Sequence, residues 1–147
     1  MSDTDDDDGA TPWPFFGALA IAVLVVGGIG AMAWVNRGPD NEREAVVRAA
    51  LGQNDALQRL DYGDFRARTC ARQAGTEADV VARQRNSVAS KGARYVDNVT
   101  GVSIDGDRAT ADVSYYFAND KDAKVDTVTD FVREDGAWRV CSAGPGQ

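Results

Sequence analysis

The chain has 147 residues and a formal net charge of −7, which is enough length for one small domain with a short extension. Five aspartates within residues 1–14 supply most of that charge, so the rest of the chain is nearly neutral. A nucleic-acid-binding protein would carry a basic surface, because neutralising phosphates drives its affinity. We therefore expect no nucleic-acid partner.

Residues 1–14 form an acidic segment that contains neither lysine nor arginine. High charge with little apolar content prevents packing, so we predict a disordered tail. Binding of a divalent cation by the aspartate run is the alternative. We prefer the flexible tail, and we predict no metal site in the chain.

An uncharged apolar run follows, from Phe15 to Val35, with Trp13 before it and Trp34 at its far end. A helix of this length would span a hydrocarbon core of roughly 30 Å, and indole rings favour the headgroup level. A cleaved signal peptide is the alternative, but it would begin with a positive segment and have a shorter apolar core. We predict that residues 15–35 form a single transmembrane helix in contact with the lipid bilayer.

Two features disagree about the orientation of this helix. Arg37, Arg43 and Arg48 follow it, and the positive-inside rule alone would place them in the cytoplasm. Cys70 and Cys141 argue the opposite, because a widely spaced pair without a CxxC motif, in a chain without histidine, favours one disulfide in an oxidising compartment. Two separate buried thiols are the alternative. Since long domains translocate largely regardless of charge, we favour a cytoplasmic N-terminus and an extracytoplasmic domain.

We expect residues 36–39 to form a linker and residues 40–143 to form one globular domain. Asn41 and Glu44 resemble a capping box, so the first helix should begin there. Gly52 should break or kink that helix.

Two further helices are predicted before the pattern changes. After a turn at residues 61–64, Phe65 to Ala71 should form a short helix that holds Cys70. Thr76 is an N-cap candidate for a third helix that runs to about Ser90.

The pattern then changes to a period of two, which is typical of half-buried strands. The Asp-Gly pairs between the apolar runs are hairpin signals. The predicted strands are Tyr95 to Ile104, Ala109 to Phe117, Val125 to Arg133, and Ala137 to Ser142, with a polar turn at residues 119–123. Residues 144–147 look disordered.

Helices followed by an antiparallel meander indicate an α+β domain in which the helices pack on one face of a curved sheet. With Asp105–Ala111 and Glu134–Cys141 as its turn-and-strand motifs, the chain resembles actinobacterial single-pass membrane proteins. These carry an extracytoplasmic NTF2-like domain, also called cystatin-like or lumazine-binding-protein-like, and they are similar in layout to Mce-associated proteins. The resemblance covers about residues 40–143. It implies a cone with a cavity between helices and sheet, and it assigns no functional residue.

Some NTF2-like folds are isomerases that use a carboxylate base and a tyrosine. Asp112 and Tyr116 should share one face of a strand, with Tyr115 on the other. A solvated Asp112 and a core Tyr115 are the preferred interpretation, because fold analogy alone does not argue function. We predict no catalytic residue and no cofactor.

Three functions remain as hypotheses. We favour a membrane-anchored accessory or interaction protein of the cell envelope, without enzymatic activity and with an envelope protein as partner. The alternative is a protein that binds a small apolar ligand or lipid in the cone. The pocket would then be lined by Val99, Val113, Tyr115, Phe131 and Trp138. The least favoured hypothesis is an enzyme of the isomerase or dehydratase type, which would need a buried carboxylate in that pocket.

Overall fold

The computed structural model describes residues 38–146. The predicted acidic tail and the predicted transmembrane helix at 15–35 lie outside the described residues. Within the described range, no helix is long and apolar enough to cross a membrane.

The described part of the chain forms three helices followed by four strands. The strands make one antiparallel sheet in the order β1-β2-β3-β4, so each strand pairs with its neighbour in sequence. This confirms the predicted α+β order of helices before a meander. The elements are α1 (Pro39–Gln58), α2 (Tyr62–Arg68), α3 (Glu77–Lys91), β1 (Arg94–Asp105), β2 (Arg108–Phe117), β3 (Asp120–Glu134) and β4 (Ala137–Val140).

Helix α1 continues through Gly52, so the predicted break at this residue is wrong. A Cβ atom at Gly52 would lie 2.4 Å from Nη1 of Arg68, so the Arg68 side chain of α2 packs over this glycine. Burial of Val46 before the glycine and of Leu57 after it holds both halves of the helix in the core. That burial outweighs the cost of about 1 kcal/mol for a glycine inside a helix.

Helix α2 starts earlier than predicted because Asp61 is its N-cap. The Asp61 carboxylate accepts a hydrogen bond from the backbone N–H of Asp64 at 2.9 Å. The helix ends at Arg68, so Cys70 lies after it and not inside it. The predicted cap of α3 is confirmed, since Thr76 accepts from the N–H of Asp79 at 3.3 Å.

Strand β3 also begins earlier than predicted. Its pairing with β2 continues as far as Phe117 opposite Asp120, which leaves a two-residue turn at 118–119 in place of the predicted polar turn. The charged residues that suggested a turn are exposed strand residues. Strand β4 ends at Val140 and not at Ser142.

The core lies between the helices and the concave face of the sheet. The alternation predicted along β2 is confirmed, with every second residue from Ala109 to Phe117 buried. The larger cluster joins β2, β3 and β4 to Val46, Ala49 and Ala50 of α1. A smaller cluster joins the three helices and contains Ala56, Leu57, Phe65 and Val80.

Polar contacts tie α1 to its neighbours at both ends. Glu42 accepts a hydrogen bond from the indole N–H of Trp138 at 2.8 Å and pairs with Arg133. Near the other end, the amide of Gln53 donates to the Thr69 hydroxyl at 2.9 Å, and both residues are buried. Satisfied buried polar groups of this kind orient a helix on the sheet.

The predicted disulfide is confirmed between Cys70 and Cys141, whose Cα atoms are 5.2 Å apart. The backbone N–H of Cys70 donates to the carbonyl of Val140 at 2.9 Å, so the chain after α2 runs beside the end of β4. A crosslink of this kind stabilises a small domain by roughly 2–4 kcal/mol. It fixes the point from which the chain leaves the sheet.

Candidate functional site

The five residues predicted to line a pocket lie together on the concave side of the sheet. Val113, Tyr115, Phe131 and Trp138 are buried members of the larger core cluster, and Val99 is half-buried against it. The same cluster includes residues of α1, which covers the sheet at this point. Their side chains are therefore packed against one another and against the helix.

The residues considered for isomerase chemistry lie on opposite faces of β2. Asp112 is exposed on the convex face. Tyr116, half-buried on the same face, stacks on Tyr95 with ring centroids 5.1 Å apart. Tyr115 is buried on the concave face, where its ring faces the guanidinium group of Arg94 and not a carboxylate. The arrangement separates Asp112 from the core tyrosine.

One side of β3 is a free edge. Strand β4 pairs only with Phe131–Glu134, so from Asp120 to Thr129 no strand of the described chain lies beside the side of β3 that faces away from β2. Val128 is 65% exposed on this stretch and Val125 is 39% exposed. We call residues 120–129 the free edge.

A cavity of about 260 Å³ lies beside the smaller core cluster. One part of its wall is apolar and comes from the three helices, and the rest is polar. Its lining residues are Leu57, Phe65, Gln73, Val80, Arg83, Gln84 and Ala143. These residues come from separate segments of the chain, so a local sequence pattern could not predict this cavity.

Arg94, at the start of β1, is a buried cation on the side of the sheet that the helices cover. It is 3% exposed, and its register partner is Phe117, which places it on the concave face. Its Nε donates to Oδ1 of Asn54 at 2.9 Å, and its Nη1 donates to the carbonyl oxygen of Pro145 at 2.8 Å. Its guanidinium carbon lies 4.9 Å from the ring centroid of Tyr115. The buried Nη2 has no hydrogen-bond partner.

The pKa values of Arg94 and Tyr115 are shifted in opposite directions, and burial is the main cause of both shifts. Burial lowers the pKa of Arg94, because a dry environment penalises the charged form, while the nearby Tyr115 acts in the opposite direction. Burial raises the pKa of Tyr115 for the same reason, against the effects of Arg94 and of a hydrogen bond with Thr129. No carboxylate contributes to either shift. Within the described range, Arg94 is thus a buried cation without an anionic partner.

The chain after β4 covers Arg94. We call residues 142–146 the closing segment. A Cβ atom at Gly144 would lie 2.7 Å from Nη1 of Arg94, and one at Gly146 would lie 2.6 Å from the hydroxyl of Ser87. A larger residue at either position would have to displace the side-chain end that it meets. Disorder was predicted for residues 144–147; of these, 144–146 lie over Arg94 and α3, and 147 lies outside the described residues.

The closing segment also connects Arg94 with the cavity. Ala143 lines the cavity, and the next two residues contact Arg94. Asn54, the partner of Nε, lies one helical turn before Leu57, which also lines the cavity. Sequence reasoning missed Arg94, because its position on the concave face follows from the pairing register with Phe117 and not from its neighbours in the chain.

No family model matches the sequence, and neither does any curated protein. Solved structures do resemble the chain. A protein of unknown function with a cystatin-like fold from Nostoc punctiforme aligns over 70% of this chain and 87% of its own, with a TM-score of 0.52 and 10% identity.

Two NTF2-like proteins resemble it more weakly. One, described as a candidate dehydratase from Streptomyces avermitilis, aligns over 70% of this chain and 93% of its own, with a TM-score of 0.46 and 18% identity. The other, described as a candidate transpeptidase from Campylobacter jejuni, aligns over 64% and 94%, with a TM-score of 0.45 and 18% identity. At such identities the likeness concerns architecture alone. The described domain has the cystatin-like α+β fold.

Proposed function

We propose that this chain is a membrane-anchored accessory protein of the cell envelope, and that its NTF2-like domain binds a protein partner on the extracytoplasmic side. The uncharged run from Phe15 to Val35 supports the anchor. The Cys70–Cys141 disulfide supports the placement, because disulfides persist in oxidising compartments.

The free edge of β3 carries the proposal. An unpaired strand edge presents a row of backbone donors and acceptors, to which an extended segment of a partner can add as a further strand. Val128 and Val125 supply apolar contacts for such a segment. The partner we propose is therefore a protein with an extended segment, held by backbone hydrogen bonds.

The charges of the free edge favour a specific partner over self-association. Lys121, Asp122, Lys124 and Asp126 bring both signs of charge to this stretch. Charged side chains on an edge oppose pairing between identical copies, because like charges would then meet in some registers. A partner strand with the complementary order of charges would gain cross-strand pairs instead.

Two other functions receive less support. An isomerase-type reaction would use a buried carboxylate near a tyrosine, but Asp112 lies exposed on the convex face. Binding of an apolar ligand among the five predicted lining residues would need space there. Val113 and Phe131 instead pack tightly in the core cluster.

Site-specific photo-cross-linking in intact cells of the source organism tests the proposal. A photoreactive amino acid at Val128 of the full chain should give an adduct of one discrete mass, and sequencing should map it to a single segment of one protein. The matched control is Val88 on α3, which is 40% exposed and belongs to no strand. This position should give no such adduct.

A competing substitution sharpens the result. With the photoreactive group at Val125, Val128→Asp should abolish the adduct, whereas Val88→Asp should leave it unchanged. Equal adducts from Val88 and Val128, or adducts to many unrelated proteins, would contradict binding at the free edge.

A further inference from the structure

The environment of Arg94 is costly for a cation. Taking a charge out of water is unfavourable unless it is paired and hydrogen-bonded. Arg94 is 3% exposed, its partners on the described chain are two neutral oxygens and an aromatic ring, and its Nη2 has no partner. Fold stability alone gives no reason for a guanidinium group here, since an apolar side chain of similar volume would avoid the cost.

The guanidinium group of Arg94 still has an N–H group, that of Nη2, available to bind a ligand. A guanidinium group presents parallel N–H groups that match the two oxygens of a carboxylate. Asn54 holds Nε in place, so the remaining pair is Nη1 and Nη2. Nη1 donates to the carbonyl oxygen of Pro145, and the buried Nη2 has no hydrogen-bond partner. A carboxylate in place of that carbonyl would engage both.

We propose that Arg94 is the anion-recognition residue of a ligand site for a small monocarboxylate with an apolar body. The carboxylate binds Nη1 and Nη2 in place of the Pro145 carbonyl. The apolar body enters the cavity beside Leu57, Phe65 and Val80.

The volume of the cavity limits the size of the ligand. Pockets for drug-sized molecules usually measure about 300–1,000 Å³, so a cavity of about 260 Å³ fits a smaller molecule. The polar residues Gln73, Arg83 and Gln84 line other parts of the wall. A single carboxylate on a short aliphatic chain matches Arg94 and the apolar part of the wall at Leu57, Phe65 and Val80.

The closing segment must move for the ligand to enter, and its attachments allow this. Its start is fixed, because Cys141 is bridged to Cys70 and the Ser142 hydroxyl accepts from the N–H of Asp130 at 2.8 Å. Beyond Ala143, the Pro145 carbonyl oxygen accepts a hydrogen bond from Nη1 of Arg94. A charge-assisted pair with a carboxylate is stronger than this bond to a neutral carbonyl, so the ligand can displace it.

Isothermal titration of the full chain in lipid nanodiscs tests the site, with octanoate as the probe and octanol as the neutral control. Empty nanodiscs correct for partition into lipid. Octanoate should bind saturably with one site per chain, and octanol should bind at least about tenfold more weakly, since it lacks the charge-assisted pair. Equal binding of the two probes would overturn the proposal.

Variants of the closing segment test the displacement without altering Arg94. A chain ended after Ala143 loses the carbonyl that competes for Nη1, and Gly144→Leu cannot approach Arg94. Both should bind octanoate several-fold more tightly than the unaltered chain, because no contact must be broken first. Weaker binding by both would show that the segment contributes to binding and does not compete with it.

Cation variants identify the group that binds the carboxylate. Arg94→Lys keeps a charge but loses the planar fork, so octanoate should bind about tenfold more weakly. Arg83→Gln removes the other cation, which lines the cavity wall, and should weaken binding less than Arg94→Lys does, because the Arg83 charge is exposed to solvent. Loss of binding in Arg83→Gln alone would assign the site to Arg83.

A substitution at the free edge separates this site from the proposed protein contact. Val128→Asp should leave octanoate affinity unchanged. Failure of the ligand site would therefore leave the proposed protein contact untouched, and the reverse also holds.

Discussion

Arg94 and Tyr115 meet in the core with 4.9 Å between the guanidinium carbon and the ring centroid. Each is an ionisable group in an environment that penalises its charged form. At the scale of residues, this pair places two ionisable groups in the buried interior of the domain. A change of pH should therefore affect stability through this pair.

Tyr115 should make the domain less stable in alkaline solution. Its pKa is raised in the folded state because burial penalises the phenolate. The stability that this shift contributes is fully present below the unfolded pKa of about 10 and is lost as pH rises through the raised folded value.

Tyr115→Phe keeps the ring under Arg94 but removes the ionisable hydroxyl and its polar interaction with the Thr129 side chain. Urea unfolding should show the variant about 1 kcal/mol less stable at pH 7, from the lost polar interaction. The difference should narrow as pH rises above 10. A constant difference across this range would mean that Tyr115 ionises equally in both states.

At the scale of elements, the boundaries of helices and strands depend on local caps and on pairing. Asp61 and Thr76 cap their helices through side chains that the sequence displays. The start of β3 depends instead on the pairing of Asp120 with Phe117, which carries a charged segment into the sheet. Local chemistry thus sets the helix starts, and tertiary pairing sets this strand.

The junction between α3 and β1 offers a matched test of close packing. Gly92 ends the helix with φ of +80°, and a Cβ there would lie 2.9 Å from Cβ of Ala118. Gly136, in the turn before β4, has φ of +77° and nothing near the position of a Cβ.

Gly136→Ala should therefore cost only the backbone strain of about 1–2 kcal/mol, whereas Gly92→Ala should cost more because a clash adds to the same strain. Urea denaturation of both variants at pH 7 gives the comparison. Equal losses would show that the loop at residues 118–119 relaxes without cost.

At the scale of the whole molecule, the disulfide links the chain after α2 to the end of the sheet. It holds the start of the closing segment, whose Pro145 carbonyl accepts a hydrogen bond from Arg94. The disulfide also favours the proposed extracytoplasmic location of the domain, because an oxidising compartment would keep the bond intact.

Cysteine labelling of intact cells tests that location. Both native cysteines are buried and bridged, so an exposed reporter is needed. Val88→Cys in the full chain should react with a membrane-impermeant maleimide in intact cells, and Ser2→Cys should react only after permeabilisation. The chain without a reporter should react only after reduction in denaturant. The reverse pattern of reporters would place the domain in the cytoplasm.

The sequence by itself determined the order of elements, the alternation along β2 and the cap at Thr76. These depend on periodicity and on side chains that act within a few residues. The pairing of Cys70 with Cys141 was also foreseen, because they are the only cysteines in the chain.

Only the tertiary structure decided the continuity of α1 through Gly52, the length of β3 and the burial of Arg94. Each depends on a contact between distant segments: Arg68 beside Gly52, Phe117 opposite Asp120, and Pro145 on Arg94. Burial and strand register are properties of the packed chain, and they outweigh local propensity where the two conflict. From the sequence, an arginine at the start of a strand would be expected to be exposed to solvent. In the folded domain Arg94 is instead a buried cation.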